Sequence, residues 1–282
     1  MRSIALTVFQ GRAGDHNDLA IPGAASVGLA LSDELDQMPV IIGTPEAAMN
    51  ADWGLELAAA RHTLEKMSEH YDRVLSNGHL PVTALTRCAV ALATLPVVAK
   101  YRPDAVVVWF DAHADLNTPE TSTTGYLGGM AISGAAGLWR SGLGAALNLT
   151  NVILVGVRDV DLAEQKLIDR GLVRAIPVND DLKQALKSAI SDRPVYIHLD
   201  CDVLNPGIVP TDYQVEGGLS LASLNDAMKI LAQNEIVGFE IAEFENAWEV
   251  DGPPVSPREL LDAVRPLIEQ ALTQRCRDGL IG

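Results

Sequence analysis

The sequence has 282 residues, and its 37 acidic and 21 basic residues give a formal net charge of −16. This charge argues against a nucleic-acid-binding protein, which needs a basic face, and 48% apolar content excludes wholesale disorder. Three cysteines without paired spacing exclude a disulfide framework. The sequence contains no unbroken run of about 18 apolar residues, so no membrane span is predicted. We expect a reduced, cytoplasmic protein.

Short runs rich in valine, isoleucine and aromatic residues recur along the chain and predict strands. The predicted strands are 4–9, 39–42, 82–85, 105–110, 152–157, 173–178, 195–199 and 236–241. Helical patterns lie between them, at about 54–70, 87–100, 161–170, 180–190, 221–233 and 257–274. Several strands are apolar throughout, which indicates that helices cover both faces of one sheet.

This alternation of strands and helices predicts a three-layer α/β/α fold with a single, mostly parallel eight-stranded sheet. The alternation never pauses for a linker, so we expect one domain over residues 1–282. In open sheets of this kind, ligands bind beyond the carboxyl ends of the strands. The candidates for a functional site are therefore the polar residues that directly follow the predicted strands.

Acidic side chains follow two of the predicted strands. Asp111, His113 and Asp115 come after strand 105–110, and Asp200 and Asp202 come after strand 195–199. Residues two apart in an extended chain point to the same side, so each set can converge. Four carboxylates at one sheet edge would repel one another without cations, and oxygen-rich ligation with one imidazole suits Mn²⁺. We therefore predict two manganese ions here, in preference to a pair of acidic surface turns.

The segments around these residues resemble those of the arginase/agmatinase (ureohydrolase) family. The resembling segments run from about residue 80 to 245 and read DAHADLNTPETSTTG, DCDVLNPGIVP followed by GGLS, VGVRDVD and FEIAEFEN. The resemblance implies an arginase-like fold, two Mn²⁺ ions and hydrolysis of a guanidino C–N bond. It also implies that Asp115 relays a proton to the departing amine and that Glu243 faces the guanidinium group.

The sequence departs from the family pattern at two positions. The family places a histidine ligand, in a GGDH motif, about two dozen residues before the first aspartate, and the residue with this separation from Asp111 is Cys88. We therefore expect Cys88 to be a thiolate ligand, with a buried apolar cysteine as the alternative, and His79 to be a turn residue. The histidine that family arginases use to shuttle protons is replaced by Gly128.

With both departures, the sequence resembles one branch of the family, the Nω-hydroxy-L-arginine amidinohydrolases of D-cycloserine biosynthesis. The resemblance implies conversion of Nω-hydroxy-L-arginine to hydroxyurea and L-ornithine. A thiolate makes the metal cluster a weaker Lewis acid, and a less basic N-hydroxyguanidine would compensate for this change and for the missing histidine. The alternatives are ordinary arginase activity, agmatinase activity and a catalytically silent protein that binds arginine or another guanidine.

Polar residues near the metal segment are candidates for holding the amino-acid end of this small-molecule substrate. The resemblance implies that Asn117, Ser122 and Thr124 bind the α-carboxylate and Asp161 the α-amino group, with Glu164 assisting through water. The alternative is that they form turns and cap a helix. Only DGLIG follows Arg277 in this sequence, so we expect a monomer or small homo-oligomer instead of the trimer common among family arginases.

Overall fold

The computed structural model describes residues 3–277, and its strands form one sheet. The eight strands are β1 (Ile4–Phe9), β2 (Val40–Ile42), β3 (Leu80–Ala84), β4 (Val106–Phe110), β5 (Val152–Val155), β6 (Arg174–Ile176), β7 (Val195–Asp200) and β8 (Ile236–Ala242). Their order across the sheet is β2-β1-β3-β8-β7-β4-β5-β6, and every pairing is parallel. The predicted α/β class with a single eight-stranded sheet is confirmed.

Helices cover both faces of the sheet. They are α1 (Ala20–Leu35), α2 (Trp53–Ser76), α3 (Ala91–Tyr101), α4 (Ala131–Ala135), α5 (Leu162–Asp169), α6 (Leu182–Ile190), α7 (Leu221–Leu231) and α8 (Arg258–Arg277). Alternate residues of β4 point to opposite faces of the sheet and belong to two hydrophobic cores. On one face, Val106, Val108 and Phe110 belong to the core formed with α1, α6, α7 and α8. Val107 and Trp109 pack with α2, α3 and α4. Burial on both faces explains the unbroken apolar runs of the central strands.

The sequence analysis missed helix α1. Its segment contains Pro22, Gly23 and Gly28, and such residues disfavour a helix intrinsically. In the fold, a Cβ atom on Gly23 would lie 1.8 Å from the backbone oxygen of Phe244. The helix therefore packs directly against the loop that follows β8, and tertiary packing overrides the low helix propensity. The short helix α4 was missed as well.

The order of the strands decides which loops meet. Strands β3, β8, β7 and β4 are consecutive neighbours in the middle of the sheet. Because they are parallel, their carboxyl ends lie at the same edge, where ligands bind in open sheets of this kind. Residues distant in sequence are brought together at this edge, which forms the candidate site.

Within residues 3–277, no helix combines the length and the apolar content needed to cross a membrane. The tail on which the expectation of a monomer or small homo-oligomer depends, residues 278–282, lies outside the described residues.

Candidate metal centre

The side chains predicted as metal ligands converge at the carboxyl ends of β3, β4 and β7. The ligand atoms of Cys88, Asp111 and Asp115 all lie within 4.8 Å of one another. The Asp200 carboxylate adjoins this group, because its Oδ2 lies 3.0 Å from the Cys88 Sγ, and a Glu243 oxygen lies within 4.8 Å of the ligand atoms of both. Four potential ligands from three strand ends therefore surround one small space.

A second group adjoins the first and shares a residue with it. The ligand atoms of Asp111, His113 and Asp202 also lie within 4.8 Å of one another. The Nδ1 atom of His113 is 2.9 Å from Asp202 Oδ2 and 3.3 Å from Asp111 Oδ1. Because Asp111 belongs to both groups, the arrangement can hold two neighbouring cations.

The electrostatics of this cluster fit a cation. Burial and the nearby Asp202 charge raise the pKa of Asp111 to about 6, and burial together with neighbouring carboxylates raises the pKa values of Asp115 and Asp200 well above their usual range. The pKa of His113 is also raised, because hydrogen bonds to Asp111 and Asp202 outweigh its burial. Within the described residues, the buried Oδ2 of Asp115 has no hydrogen-bond partner. Divalent ions would satisfy this oxygen and remove the repulsion.

Cys88 is buried in the middle of the acidic cluster. It begins the short helical turn Cys88–Val90 that leads into α3. Burial and the Asp200 charge raise the pKa of the Cys88 thiol well above its usual range. The thiol is therefore neutral unless a cation favours the thiolate, which is the form that binds metals.

Buried side chains that are not ligands themselves contact the ligands Cys88 and Asp111. The His198 Nε2 lies 3.0 Å from the Cys88 Sγ, and its Nδ1 lies 2.7 Å from Glu240 Oε1. The His198 ring stacks on Trp109 with centroids 3.5 Å apart, and the Trp109 indole donates a hydrogen bond of 2.8 Å to Asp111 Oδ2. Such contacts fix the orientation of metal ligands.

Glu243 lies beside the cluster and is held by three donors. Its Oε2 accepts a hydrogen bond of 2.8 Å from Arg87 Nη1. Its Oε1 accepts hydrogen bonds from the Cys88 backbone N–H at 2.7 Å and from the Tyr126 hydroxyl at 3.1 Å. Both Glu243 and Asp115 have positive φ angles, 62° and 50°, a strained conformation that clusters at functional sites. The sequence analysis missed the role of Arg87, because the contact with Glu243 joins residues that are distant in sequence.

Tyr126 occupies the space next to Gly128, the position where family arginases carry the shuttle histidine. A Cβ atom on Gly128 would lie 2.4 Å from a ring carbon of Tyr126. The ring also contacts His16 and Tyr213, at centroid distances of 4.6 and 5.5 Å. The Tyr126 ring therefore fills the space that a side chain at position 128 would occupy.

A cavity of about 290 Å³ opens above the cluster, and five of its lining residues are the expected substrate contacts, Asn117, Ser122, Thr124, Asp161 and Glu164. They also have the local roles given as alternatives. Asp161 and Glu164 form the capping box of α5, and Asp161 accepts a hydrogen bond of 2.8 Å from the Asn117 amide. Ser122 and Thr124 accept turn hydrogen bonds. Their substrate contacts stay predictions.

The loop after β7 supplies cavity residues that the sequence analysis did not single out, Thr211 and Tyr213. Within residues 3–277, the buried hydroxyl of Thr211 has no hydrogen-bond partner. Arg158 fixes the two ends of this loop, since its guanidinium donates hydrogen bonds of 2.8 Å to the carbonyl groups of Asp202 and Val215. The DCDVLNPGIVP segment was the available signal for these residues.

Comparisons with known proteins identify the family and the fold. The model of the arginase family matches residues 20–252. An Nω-hydroxy-L-arginine amidinohydrolase from Streptomyces lavendulae is 40% identical over 268 residues, which cover 95% of this chain and 98% of that protein. An arginase from Bacillus caldovelox is 28% identical over 64% of this chain and 66% of that protein. The crystal structure of Entamoeba histolytica arginase in complex with L-ornithine is similar to this chain, with a TM-score of 0.80 at 22% identity. The match covers 95% of this chain and 99% of that one.

Proposed function

The chain belongs to the arginase family, and from this premise we propose that it hydrolyses Nω-hydroxy-L-arginine to hydroxyurea and L-ornithine with two Mn²⁺ ions. The observation that carries the proposal is the Cys88 thiol inside a cluster of buried carboxylates. The 40% identity to a named Nω-hydroxy-L-arginine amidinohydrolase supports the substrate.

The residues that would hold the ions follow from the two overlapping groups. One ion would be held by Cys88, Asp115 and Asp200, the other by His113 and Asp202, with Asp111 common to both groups. Five of the six ligands supply oxygen or nitrogen, which suits Mn²⁺. When bound, such ions would lower the pKa of a coordinated water toward about 7 and so supply a nucleophile at neutral pH.

The remaining steps fall to side chains of the chain itself. The Asp115 carboxylate, which lines the cavity, would accept a proton from the nucleophile and return it to the departing nitrogen. Glu243 would accept a hydrogen bond from the guanidino group at the face of the cavity. A hydrogen bond to a charged group of this kind contributes about 1.5–3 kcal/mol.

The amino-acid end of the substrate would lie at the mouth of the cavity. Asn117, Ser122 and Thr124 would bind the α-carboxylate, and Asp161 the α-amino group, with Glu164 assisting through water. All five line the cavity. This set favours an amino acid over agmatine, which lacks the carboxylate. A cytoplasmic location and a monomeric or small oligomeric state are further predictions.

Two other activities have specific support. Ordinary arginase activity is supported by the 28% identity to Bacillus caldovelox arginase. A catalytically silent guanidine-binding protein is supported only by the glycine at position 128, and the retained acidic cluster argues against it, because binding alone does not need metal ligands.

A comparison of three substrates tests the proposal. The protein is reconstituted with Mn²⁺, its metal content is measured, and Nω-hydroxy-L-arginine, L-arginine and agmatine are assayed for release of hydroxyurea or urea. We expect the highest kcat/KM for Nω-hydroxy-L-arginine. Equal or better turnover of L-arginine would refute the substrate assignment, and two bound ions without any turnover would favour the silent binding protein.

A further inference from the structure

We propose that Arg87 determines which guanidine the site accepts, by occupying the carboxylate that a guanidinium cation would pair with. The inference rests on the proposed function and extends it to the choice between a neutral N-hydroxyguanidine and a cationic guanidine. Its evidence is the burial of Arg87, its contacts and the hydrogen bonds that Glu243 already accepts.

Arg87 is a permanent positive charge inside the protein. Its side chain is fully buried, and each of its nitrogen atoms contacts a different carboxylate. The Nε atom lies 3.1 Å from Asp15, Nη1 lies 2.8 Å from Glu243 and 3.7 Å from Asp212, and Nη2 lies 3.1 Å from Glu245. Arginine remains protonated under all ordinary conditions. Only Glu243 among these four carboxylates lines the cavity, so the charge of Arg87 reaches the substrate through Glu243.

Both oxygens of Glu243 are already in use on the protein side. The Nη1 atom of Arg87 contacts Oε2, while the Cys88 backbone N–H and the Tyr126 hydroxyl contact Oε1. A substrate cation that binds Glu243 must share the carboxylate with a buried like charge, in surroundings where charges are weakly screened. A neutral donor meets no such repulsion when it binds the carboxylate.

This difference separates the two substrates. The guanidine of L-arginine is a cation at neutral pH. An N-hydroxyguanidine is less basic, because the electronegative oxygen withdraws electrons from the guanidine, so its neutral form is more available. Arg87 therefore penalises L-arginine more than Nω-hydroxy-L-arginine. The other three carboxylates reduce the penalty, because they neutralise part of the Arg87 charge.

The test compares the hydroxyarginine-to-arginine ratio of kcat/KM in variants with retained manganese content. We expect Arg87→Met to lower this ratio about tenfold or more, the effect of one charge-assisted contact. Arg87→Lys keeps the charge and should keep the ratio. Glu245→Gln removes a competing carboxylate and should raise it. The matched control is Arg102→Met, because Arg102 forms its ion pairs with Asp104 and Glu235, outside the cavity.

A binding measurement supplies a second readout. Calorimetric titration of the metal-free protein with L-arginine should show tighter binding to Arg87→Met than to the wild type by a similar factor, with no such gain for Arg102→Met. Because removal of Arg87 leaves buried carboxylates unpaired, Arg87→Met combined with Glu245→Gln replaces the single variant if that variant does not fold.

The outcomes separate this inference from the proposed function. An unchanged ratio and unchanged L-arginine binding in the folded Arg87 variant, or an Arg87→Lys variant that behaves like Arg87→Met, would overturn the role of Arg87 alone. A wild-type protein that holds two Mn²⁺ ions and releases no hydroxyurea from Nω-hydroxy-L-arginine would overturn the proposed function.

Discussion

Removal of the Cys88 thiol should cost the protein one of its two metal ions. The Sγ atom lies 3.0 Å from Asp200 Oδ2 and within 4.8 Å of the ligand atoms of Asp111 and Asp115. Loss of a group that only supports a ligand lowers metal affinity 10–100-fold. Loss of the ligand itself should therefore lower it at least about 100-fold, or about 2.7 kcal/mol. The Cys88→Ala variant is expected to retain about one Mn²⁺ per chain after dialysis.

Two measurements and one control make this prediction specific. Elemental analysis gives the manganese content, and the Co²⁺-loaded wild type should have a thiolate-to-cobalt absorption band that Cys88→Ala lacks. The matched control is Cys201→Ala, since Cys201 is equally buried but packs in the apolar core. Cys88→His should bind two ions again, because a neutral imidazole can replace the thiolate as a ligand.

The opposite result would refute the reasoning. If Cys88→Ala holds two ions with wild-type affinity, or the cobalt band survives, the thiol is a buried apolar group beside the site. The explanation of substrate preference through an electron-rich cluster would then be wrong, although the acidic cluster itself would remain.

Two further predictions concern the pH dependence of stability and the packing at Gly128. In the metal-free protein, the raised pKa of Asp111, about 6, means that the folded state binds its proton more tightly than the unfolded state. Urea unfolding should therefore show a loss of stability as the pH rises from below 4 to above 6, to which Asp111 contributes about 3 kcal/mol. The loss should be smaller by about this amount in Asp111→Asn, and equal pH profiles of the two proteins would contradict the prediction. Gly128→Ala should destabilise the protein by about 1–3 kcal/mol, because its Cβ would overlap the Tyr126 ring. In the Tyr126→Asn background the same substitution should cost much less free energy of unfolding. A double-mutant cycle that gives additive changes would disprove this coupling.

The local sequence indicated most of the sheet and the acidic part of the site. Apolar runs mark the central strands, because burial on both faces requires apolar residues at every position. The placement of Asp111 and Asp200 at the ends of two such runs predicted that they would meet at one sheet edge, since parallel strands end on the same side. The motif spacing also identified Cys88 as the candidate replacement for a histidine.

Helix α1 and the role of Arg87 could not be obtained in the same way. The helix has poor intrinsic propensity and exists because Gly23 allows close packing on the loop after β8. Arg87 and Glu243 are 156 residues apart in sequence. No local pattern reports which carboxylates surround a buried arginine, or that the Tyr126 ring fills the space beside Gly128.

The sequence by itself determined the fold class, the family and the residue types that can bind metal, because strand burial and ligand chemistry are local properties of a segment. Only the tertiary structure decided how those residues are combined. The strand order places β3, β8, β7 and β4 side by side, and this order brings Arg87 onto Glu243 and the Cys88 thiol into the acidic cluster. Contacts between distant segments depend on packing, and packing is fixed only when the whole sheet has formed.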